Sequence, residues 1–334
     1  MTQIWGNAPD GSTVYAHRLE GHGLRARILT FGACLQDFGF AGAEHKSLIL
    51  AYPRLAPYLI NPNYLGASIG RYANRIAKGQ AHLGNLTLDL ERNQGALHHL
   101  HGGSGGSAFA NWQIQEADPQ ALTLSLTMAD GHMGYPGCLQ VQARFELRAP
   151  GTLAIIYSAY SDCDTLCNFT PHTYFNLSGA PDIGTHTLQV QANHYIEVDA
   201  AGIPLAPPKA VAGTPYDFRT PRTLEGANTP VQPIDNTFCL SPTRRAVTHA
   251  ATLQAAGHSI CELWTSEPGL QVYTGAHLRG LTTSDASYDH RPFSGIALEP
   301  QIWPDAPNQP GFPDAVLRAG TRYEHETHYR VTPC

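Results

Sequence analysis

Leu139-Gln140-Val141-Gln142-Ala143-Arg144-Phe145-Glu146-Leu147-Arg148 sets five apolar and five polar residues in strict alternation. A period of two belongs to an extended chain whose successive side chains point to opposite faces. The stretch therefore predicts an antiparallel strand with one face in a core and the other in water. Leu122, Leu124, Leu126 and Met128 repeat the pattern upstream, and Leu188, Val190 and Ala192 repeat it downstream. Residues 153–160 are more continuously apolar, as expected of a strand buried on both faces. Asp130-Gly131, Pro136-Gly137 and Ala149-Pro150-Gly151 supply turns between these runs.

Farther out, residues 24–31 and 47–51 read as short strands, and residues 52–64, rich in Pro, Tyr and Asn, as a loop. No window of a dozen residues carries a capped helical stripe, although residues 223–225 and 250–255 suit short helical turns. The class implied is all-β: one large antiparallel β-sandwich spanning residues 1–334, with no repeat or linker. With 32 Gly and 25 Pro against only 14% charged residues, the composition favours many short strands joined by turns.

Composition also narrows the function. A net charge of −6 with no basic cluster argues against nucleic acid and anionic membrane as partners. No stretch approaches the roughly 18 apolar residues of a membrane span. The first residues, Met1-Thr2-Gln3-Ile4-Trp5, lack the basic start and apolar core of a signal peptide. Seven scattered cysteines suit reduced thiols, so a cytoplasmic protein is expected, monomeric or homodimeric.

Near the end, Gly295-Ile296-Ala297-Leu298 reads as the last part of a buried strand that delivers Glu299 to a segment holding five prolines, at 300, 304, 307, 310 and 313. Proline fixes φ and removes the amide donor, so this segment is expected to leave the sheet as a rigid extended loop carrying a reactive carboxylate. Two histidines have settings that fit proton transfer. His101 precedes Gly102-Gly103-Ser104-Gly105-Gly106, where missing side chains let another molecule approach the backbone. His172 lies in a strand-like stretch, residues 168–177, crowded with hydrogen-bonding groups and aromatics. Arg71 and Arg75 sit among small residues, and the structural alternative for them is one salt bridge each.

Other chemistries find little support. Gly-x-Ser-x-Gly occurs around Ser68 and Ser104, but neither serine is followed by the helical stripe that a nucleophile elbow requires. No His-Glu-x-x-His or paired Cys-x-x-Cys occurs, and His98, His99 and His101 are spaced too closely for a known zinc geometry. No catalytic metal is expected. No arginine cluster suited to phosphate stands out either.

Seven segments taken in order resemble the signatures of the aldose 1-epimerases, the galactose mutarotase family. They are Gly-Arg-Tyr-Ala-Asn-Arg-Ile at 70–76, Leu-His-Gly-Gly at 100–103, Asp-Gly-His-Met-Gly-Tyr-Pro-Gly at 130–137, His-Thr-Tyr-Phe-Asn-Leu at 172–177, Pro-Tyr-Asp-Phe-Arg at 215–219, Ile-Asp-Asn-Thr-Phe at 234–238 and the Glu299 segment. The resemblance implies a β-sandwich with a sugar cleft on one face, no cofactor, and interconversion of the α and β anomers of free aldoses. By matching motif it implies Glu299 as general base and His172 as general acid. It further implies His101, Asn74, Arg75 and Asp235 as groups that hold the sugar, with Gln301 as a further contact. Trp303, Tyr72, Tyr174 and Phe218 are candidates for stacking faces. Pro171 and Pro300 stand where the family commonly has Asn and Thr, differences that bear on substrate choice. Two alternatives remain open: a binding sandwich without turnover, or a sugar hydrolase or lyase using Asp305 as a second carboxylate.

Overall fold

The computed structural model describes residues 1–42, 47–282, 287–288 and 290–334. Leu139–Arg148 is a ten-residue strand, as its alternation requires; Leu139, Val141, Ala143, Phe145 and Leu147 all enter the main core. Each such side chain taken from water contributes about 1.5–3 kcal/mol, which sets the inward face and hence the register. This strand pairs with Ala121–Met128 on one side and Thr152–Ser161 on the other. They form part of a nine-stranded sheet in the order Gln113–Ala117, Ala121–Met128, Leu139–Arg148, Thr152–Ser161, Tyr323–Pro333, Ser259–Thr265, Thr248–Ala255, Thr187–Val190 and Arg222–Thr223.

A six-stranded sheet runs Tyr174–Phe175, Ile296–Gln301, Gly269–Tyr273, Asp235–Cys239, His194–Val198 and Pro204–Ala210. A four-stranded meander covers Thr2–Asn7, Thr13–Gly21, Leu24–Leu29 and Cys34–Phe40. Neighbouring strands within these three sheets are antiparallel. Leu124, Phe145 and Leu263 from the large sheet, Phe238, Leu270 and Leu298 from the six-stranded sheet, and Ile28 and Phe38 from the meander share one core. The sheets therefore stack face to face, as in a sandwich.

Four local expectations are corrected. Residues 250–255 are strand, not helix: Ala250, Ala251, Leu253 and Ala255 are buried, and the neighbouring strands at Thr187–Val190 and Ser259–Thr265 impose an extended conformation on a sequence of weak β-propensity. Thr223, in the other candidate turn, pairs with Thr187 as part of a two-residue strand. Residues 47–51 make only one bridge, Ile49 to Phe175. Four residues of the expected loop, Leu55–Tyr58, form an α-helical turn.

Pro300 does not end its strand. Ile296–Gln301 continues through it, with Pro300 opposite Leu270. The neighbour on the other side, Tyr174–Phe175, stops at Ala297, so beyond that point the strand has one partner and the missing proline N–H leaves no ladder bond unmade.

Candidate active site

Strand register brings Glu299 and His172 together. Tyr174 pairs with Ala297 and Phe175 with Ile296, and continuing that register by two residues sets position 172 opposite position 299. His172 follows the Thr170–Pro171 strand, which pairs with Ser68–Ile69; its N–H donates to the Ala67 carbonyl at 2.9 Å and its own carbonyl accepts from Gly66 at 3.0 Å. With the backbone fixed on both sides, His172 Nε2 lies 3.5 Å from Glu299 Oε2.

His101 and Asn74 arrive as a second unit. Arg75–Ile76 pairs with His99–Leu100, which places Asn74 beside His101. The His101 N–H donates to the Asn74 carbonyl at 3.0 Å, and the Asn74 N–H donates to His101 Nδ1 at 3.2 Å. Both residues hold left-handed backbone, φ 64° and 53°, as does Tyr64 on the same wall at 54°. Non-glycine residues in this region are uncommon and concentrate where a side chain must be aimed against local preference. The glycines after His101 serve packing rather than ligand approach: a Cβ on Gly102 would lie 2.0 Å from the Gly70 carbonyl oxygen.

Asp235 enters from the far side of the sheet. Its strand pairs with Gly269–Tyr273, which in turn pairs with the Glu299 strand, so Thr237, Gln271 and Glu299 form one row. Gln271 accepts from the Thr237 hydroxyl and donates to Asp235 Oδ1 at 2.6 Å, a polar link between the two carboxylate-bearing strands. Arg75 directs Nε to Gln94 Oε1 at 3.0 Å and is one of the hollow's lining residues.

These groups line a cleft of about 610 Å³, within the ~300–1,000 Å³ usual for small-molecule sites. Glu299, His172, His101, Asn74, Arg75 and Asp235 all contribute to its wall. Gln301 does not. It is fully buried beyond Glu299, opposite Gly269, and neither of its side-chain amide atoms has a hydrogen-bond partner. Of the aromatic candidates, Tyr174 lines the cleft; Tyr72 and Phe218 are core residues, and Trp303 borders a separate hollow with Cys239 and Ser241.

Sequence reasoning missed Tyr64, Gln271, Tyr273, His277 and Arg279, which complete the wall with Asn63 and Gln94. Tyr64 packs its ring 4.8 Å from His101 edge-on and 5.9 Å from His172 in a stack. The motif at 70–76 carries no signal for Tyr64, which reaches the imidazoles from the preceding loop. Arg71, by contrast, leaves the site. It is wholly buried and donates to the carbonyls of Met128, Pro136 and Gly137; among the described residues neither it nor Arg75 makes the salt bridge considered for it. Ser68 donates to the Ala33 carbonyl in the core and Ser104 bonds Glu91 at the surface, outside the cleft wall.

Burial sets the electrostatics. Glu299, only 2% exposed, is held well above the usual carboxylate range by desolvation, with the Asp235 charge adding to the rise and Arg75 opposing it. Burial pushes His172 down to about 4. It also pushes His101 well below the ordinary histidine value, aided by the positive charges of His172 and Arg75. Burial of both groups thus favours the neutral pair over the ionised one, against the attraction between opposite charges.

Donor atoms of His101, His172 and Glu299 lie within 4.8 Å of one another, a composition that suits zinc. The Asn74 N–H opposes that use. A neutral His101 whose Nδ1 accepts this bond carries its proton on Nε2, leaving no free lone pair for a metal. The arrangement is instead suited to moving protons: one carboxyl, one imidazole with an unpartnered Nδ1, and a second imidazole fixed as a donor.

Asp305, the carboxylate considered for hydrolysis, faces elsewhere. Oδ1 accepts from the Ala77 N–H at 2.9 Å and the Asn308 amide at 2.6 Å, and Oδ2 accepts from the Gln309 amide at 2.9 Å. None of the described residues forms a helix long and apolar enough to cross a membrane.

Residues 15–330 match the family described as Aldose 1-epimerase. The chain is 35% identical to an aldose 1-epimerase of Haemophilus influenzae, over 99% of each chain, and 34% identical to galactose mutarotase of Mus musculus, over 98% of this chain and 97% of that one. The solved structure of galactose 1-epimerase from Lactobacillus acidophilus superposes with a TM-score of 0.86 at 27% identity, covering 100% of this chain and 98% of the other. A solved aldose epimerase homologue from C. elegans gives 0.87 at 25% identity, over 95% and 98%. By sequence across nearly its whole length, and by the sandwich that carries its cleft, the chain belongs to the aldose 1-epimerase family of isomerases.

Proposed function

We propose that the protein interconverts the α and β anomers of a free aldose of galactose or glucose type, with Glu299 as base and His172 as acid. The observation that carries this reading is the placement of both groups, 3.5 Å apart, with His101 in one sugar-sized cleft. Opening a pyranose removes the proton from O1 and adds one to O5. Glu299 takes the first and His172 gives the second; the aldehyde turns about the bond from C1 to C2, and reclosure reverses both transfers. The pair ends with the protons it began with, so the cycle needs no redox or group-transfer partner.

Burial assists the first half of the cycle. A charged Glu299–His172 pair becomes neutral as the ring opens, the direction that desolvation favours. The pair carries one proton in all, and the 3.5 Å gap lets that proton reach His172 before the sugar separates the two. His101 Nε2–H, Arg75 and Asp235 hold hydroxyls, which adds an orientation contribution to the roughly 10²–10⁴-fold expected of each acid–base group. A cytoplasmic setting accords with the family reading and with seven free cysteines.

Asp235 gives the cleft a second carboxylate, so the test includes hydrolysis. Polarimetry on freshly dissolved α-D-galactose and α-D-glucose is expected to show faster approach to anomeric equilibrium with the wild type and not with Glu299→Gln. Sugar binding without acceleration would mark a binding protein, and new reducing ends from a glycoside would mark a hydrolase; either result overturns the proposal.

A further inference from the structure

Arg75 is far in sequence from His277 and Arg279, yet all three line one wall system with Glu299. We propose that the cleft takes aldoses bearing an anionic group away from C1, a phosphate or a carboxylate, and that the Arg279 guanidinium recognises that group. The inference rests on reading the cleft as the site of anomer exchange and goes beyond it to the class of sugar.

The charges present favour an anion. Apart from Glu299, the acid in the lining is Asp235, and Gln271 already donates to one of its oxygens. Arg75 and Arg279 together outweigh it, so this cleft is locally positive on a chain whose net charge is −6. Low-dielectric walls concentrate such a field toward an incoming charge.

The three arginines of the site region differ in what their donors do. Arg71 spends its donors on core carbonyls, and Arg75 directs two nitrogens to the side-chain oxygens of Gln94 and Asn74. Arg279 is exposed at the mouth, and among the described residues its guanidinium forms no ion pair or hydrogen bond.

Its backbone is nevertheless fixed. The buried Asn63 side chain donates to the Arg279 carbonyl at 2.9 Å and accepts from the Arg279 N–H at 3.3 Å. The Tyr273 hydroxyl accepts from the His277 N–H at 2.7 Å, and between these two points Leu278 is packed into a core cluster. The cation thus projects from an anchored turn, so binding has to order its side chain but not the backbone that carries it. Asn63 is next to Tyr64, whose ring lies against both imidazoles, so the recognition point and the reacting centre share one wall. A planar guanidinium matches phosphate or carboxylate oxygens in pairs, which an ammonium cannot do.

The test measures binding by calorimetry to Glu299→Gln, which separates recognition from turnover. Its ligands are galactose, galactose 6-phosphate and galacturonate, at low and at high sodium chloride. Binding of an anionic sugar about 10-fold tighter than galactose at low salt is expected, with the excess lost in Glu299→Gln/Arg279→Ala, partly kept with Arg279→Lys, and reduced by salt. Preference for the phosphate over the uronate identifies a dianion as the group recognised; the reverse identifies a carboxylate. Anionic sugars binding no tighter than galactose, or an excess that survives Arg279→Ala, would overturn the proposal. The two readings fail separately: wild type that exchanges galactose anomers while rejecting both anionic sugars sinks this inference alone, whereas selective binding without exchange sinks only the enzymatic reading.

Discussion

Among the described residues two glutamate–histidine pairs are buried, and of these the Glu299 pair lines the cleft while the Glu267 pair does not. Glu267 and His325 lie 4.0 Å apart and Glu299 and His172 lie 3.5 Å apart, all four nearly or wholly buried. In the first pair, Glu267 Oε1 accepts from Arg244 Nε at 2.6 Å, His325 Nδ1 meets the Phe169 carbonyl at 2.9 Å, and His325 Nε2 meets the Thr327 hydroxyl at 2.6 Å. Arg244 is half-buried over the Tyr323 ring, so the carboxylate has a cation against it. Glu267 Oε2 and Glu299 Oε2 are both without a hydrogen-bond partner, but Glu267 holds Arg244 through its other oxygen and both nitrogens of His325 are engaged. In the second pair His172 Nδ1 is unpartnered, and among the described residues no arginine or lysine is bonded to Glu299. Residue type and burial therefore do not distinguish structure from chemistry. The distinction is whether the surrounding protein has already used the groups.

Exchanging each glutamate for glutamine is the sharpest way to break this comparison. Glu299→Gln is expected to lower anomer exchange by about 10²–10⁴-fold while raising thermal stability at neutral pH. The sign follows from its raised folded value: a carboxyl that binds its proton more tightly in the folded state loses stability as pH rises from the ordinary carboxylate range toward the folded value, and glutamine removes that loss. Glu267→Gln is expected to do the opposite. It leaves the half-buried Arg244 without its counter-charge, at a cost of about 1–3 kcal/mol, while the folded fraction keeps its exchange rate. Polarimetry and thermal melts on both variants decide; a stability loss in Glu299→Gln as large as that in Glu267→Gln would erase the distinction.

The histidines extend the contrast with a smaller effect. His172→Gln is expected to slow exchange by about 10²-fold or more with a modest change in melting temperature. His325→Gln is expected to cost about 1–3 kcal/mol through the buried carbonyl and hydroxyl left without partners, with little loss of rate per folded molecule. His172 also has a pH signature. Its folded value of about 4 lies below the unfolded one, so the unfolded chain binds more protons between pH 6.5 and 4 and stability falls as pH drops through that window. The slope of melting temperature against pH there should be shallower in His172→Gln; an unchanged slope would assign it to other groups.

Much of this was legible before folding, and what was not has a physical reason. Strict alternation located Leu139–Arg148 because one face must be apolar wherever the core lies. The strand at Thr248–Ala255 escaped notice because three of its buried positions, Ala250, Ala251 and Ala255, hold alanine, which is depleted in strands, and its extension is imposed by neighbours. Pro300 was read as the end of a strand, since a proline shows its missing donor but not that the adjacent strand has already stopped. In the site, the motif residues Glu299, His172, His101, Asn74, Arg75 and Asp235 share one cleft. Gln271 and Arg279 join them only through strand pairing and a side-chain clamp between positions 63 and 279, neither of which leaves a local pattern.

Asp305 tests the comparison from between its two poles, because its contacts are structural while its position bears on the site. It holds a left-handed backbone at φ 56°, donates its N–H to the Arg75 carbonyl at 2.9 Å, and accepts the Ala77 N–H through Oδ1. It thus grips both ends of the short segment that presents Arg75 and Asn74 to the sugar, and it does so from the chain that continues the Glu299 strand. Loosening that grip should misplace the sugar more than the proton-transfer pair. Asp305→Asn keeps one acceptor oxygen but sets an amide donor against those of Asn308 and Gln309. The expected result is a rise in KM of about 10-fold with kcat changed much less, a split that general destabilisation would not produce in the folded fraction. Equal losses in both constants would place Asp305 with the Glu299 pair, and no change in either would place it with Glu267 as a residue of the core alone.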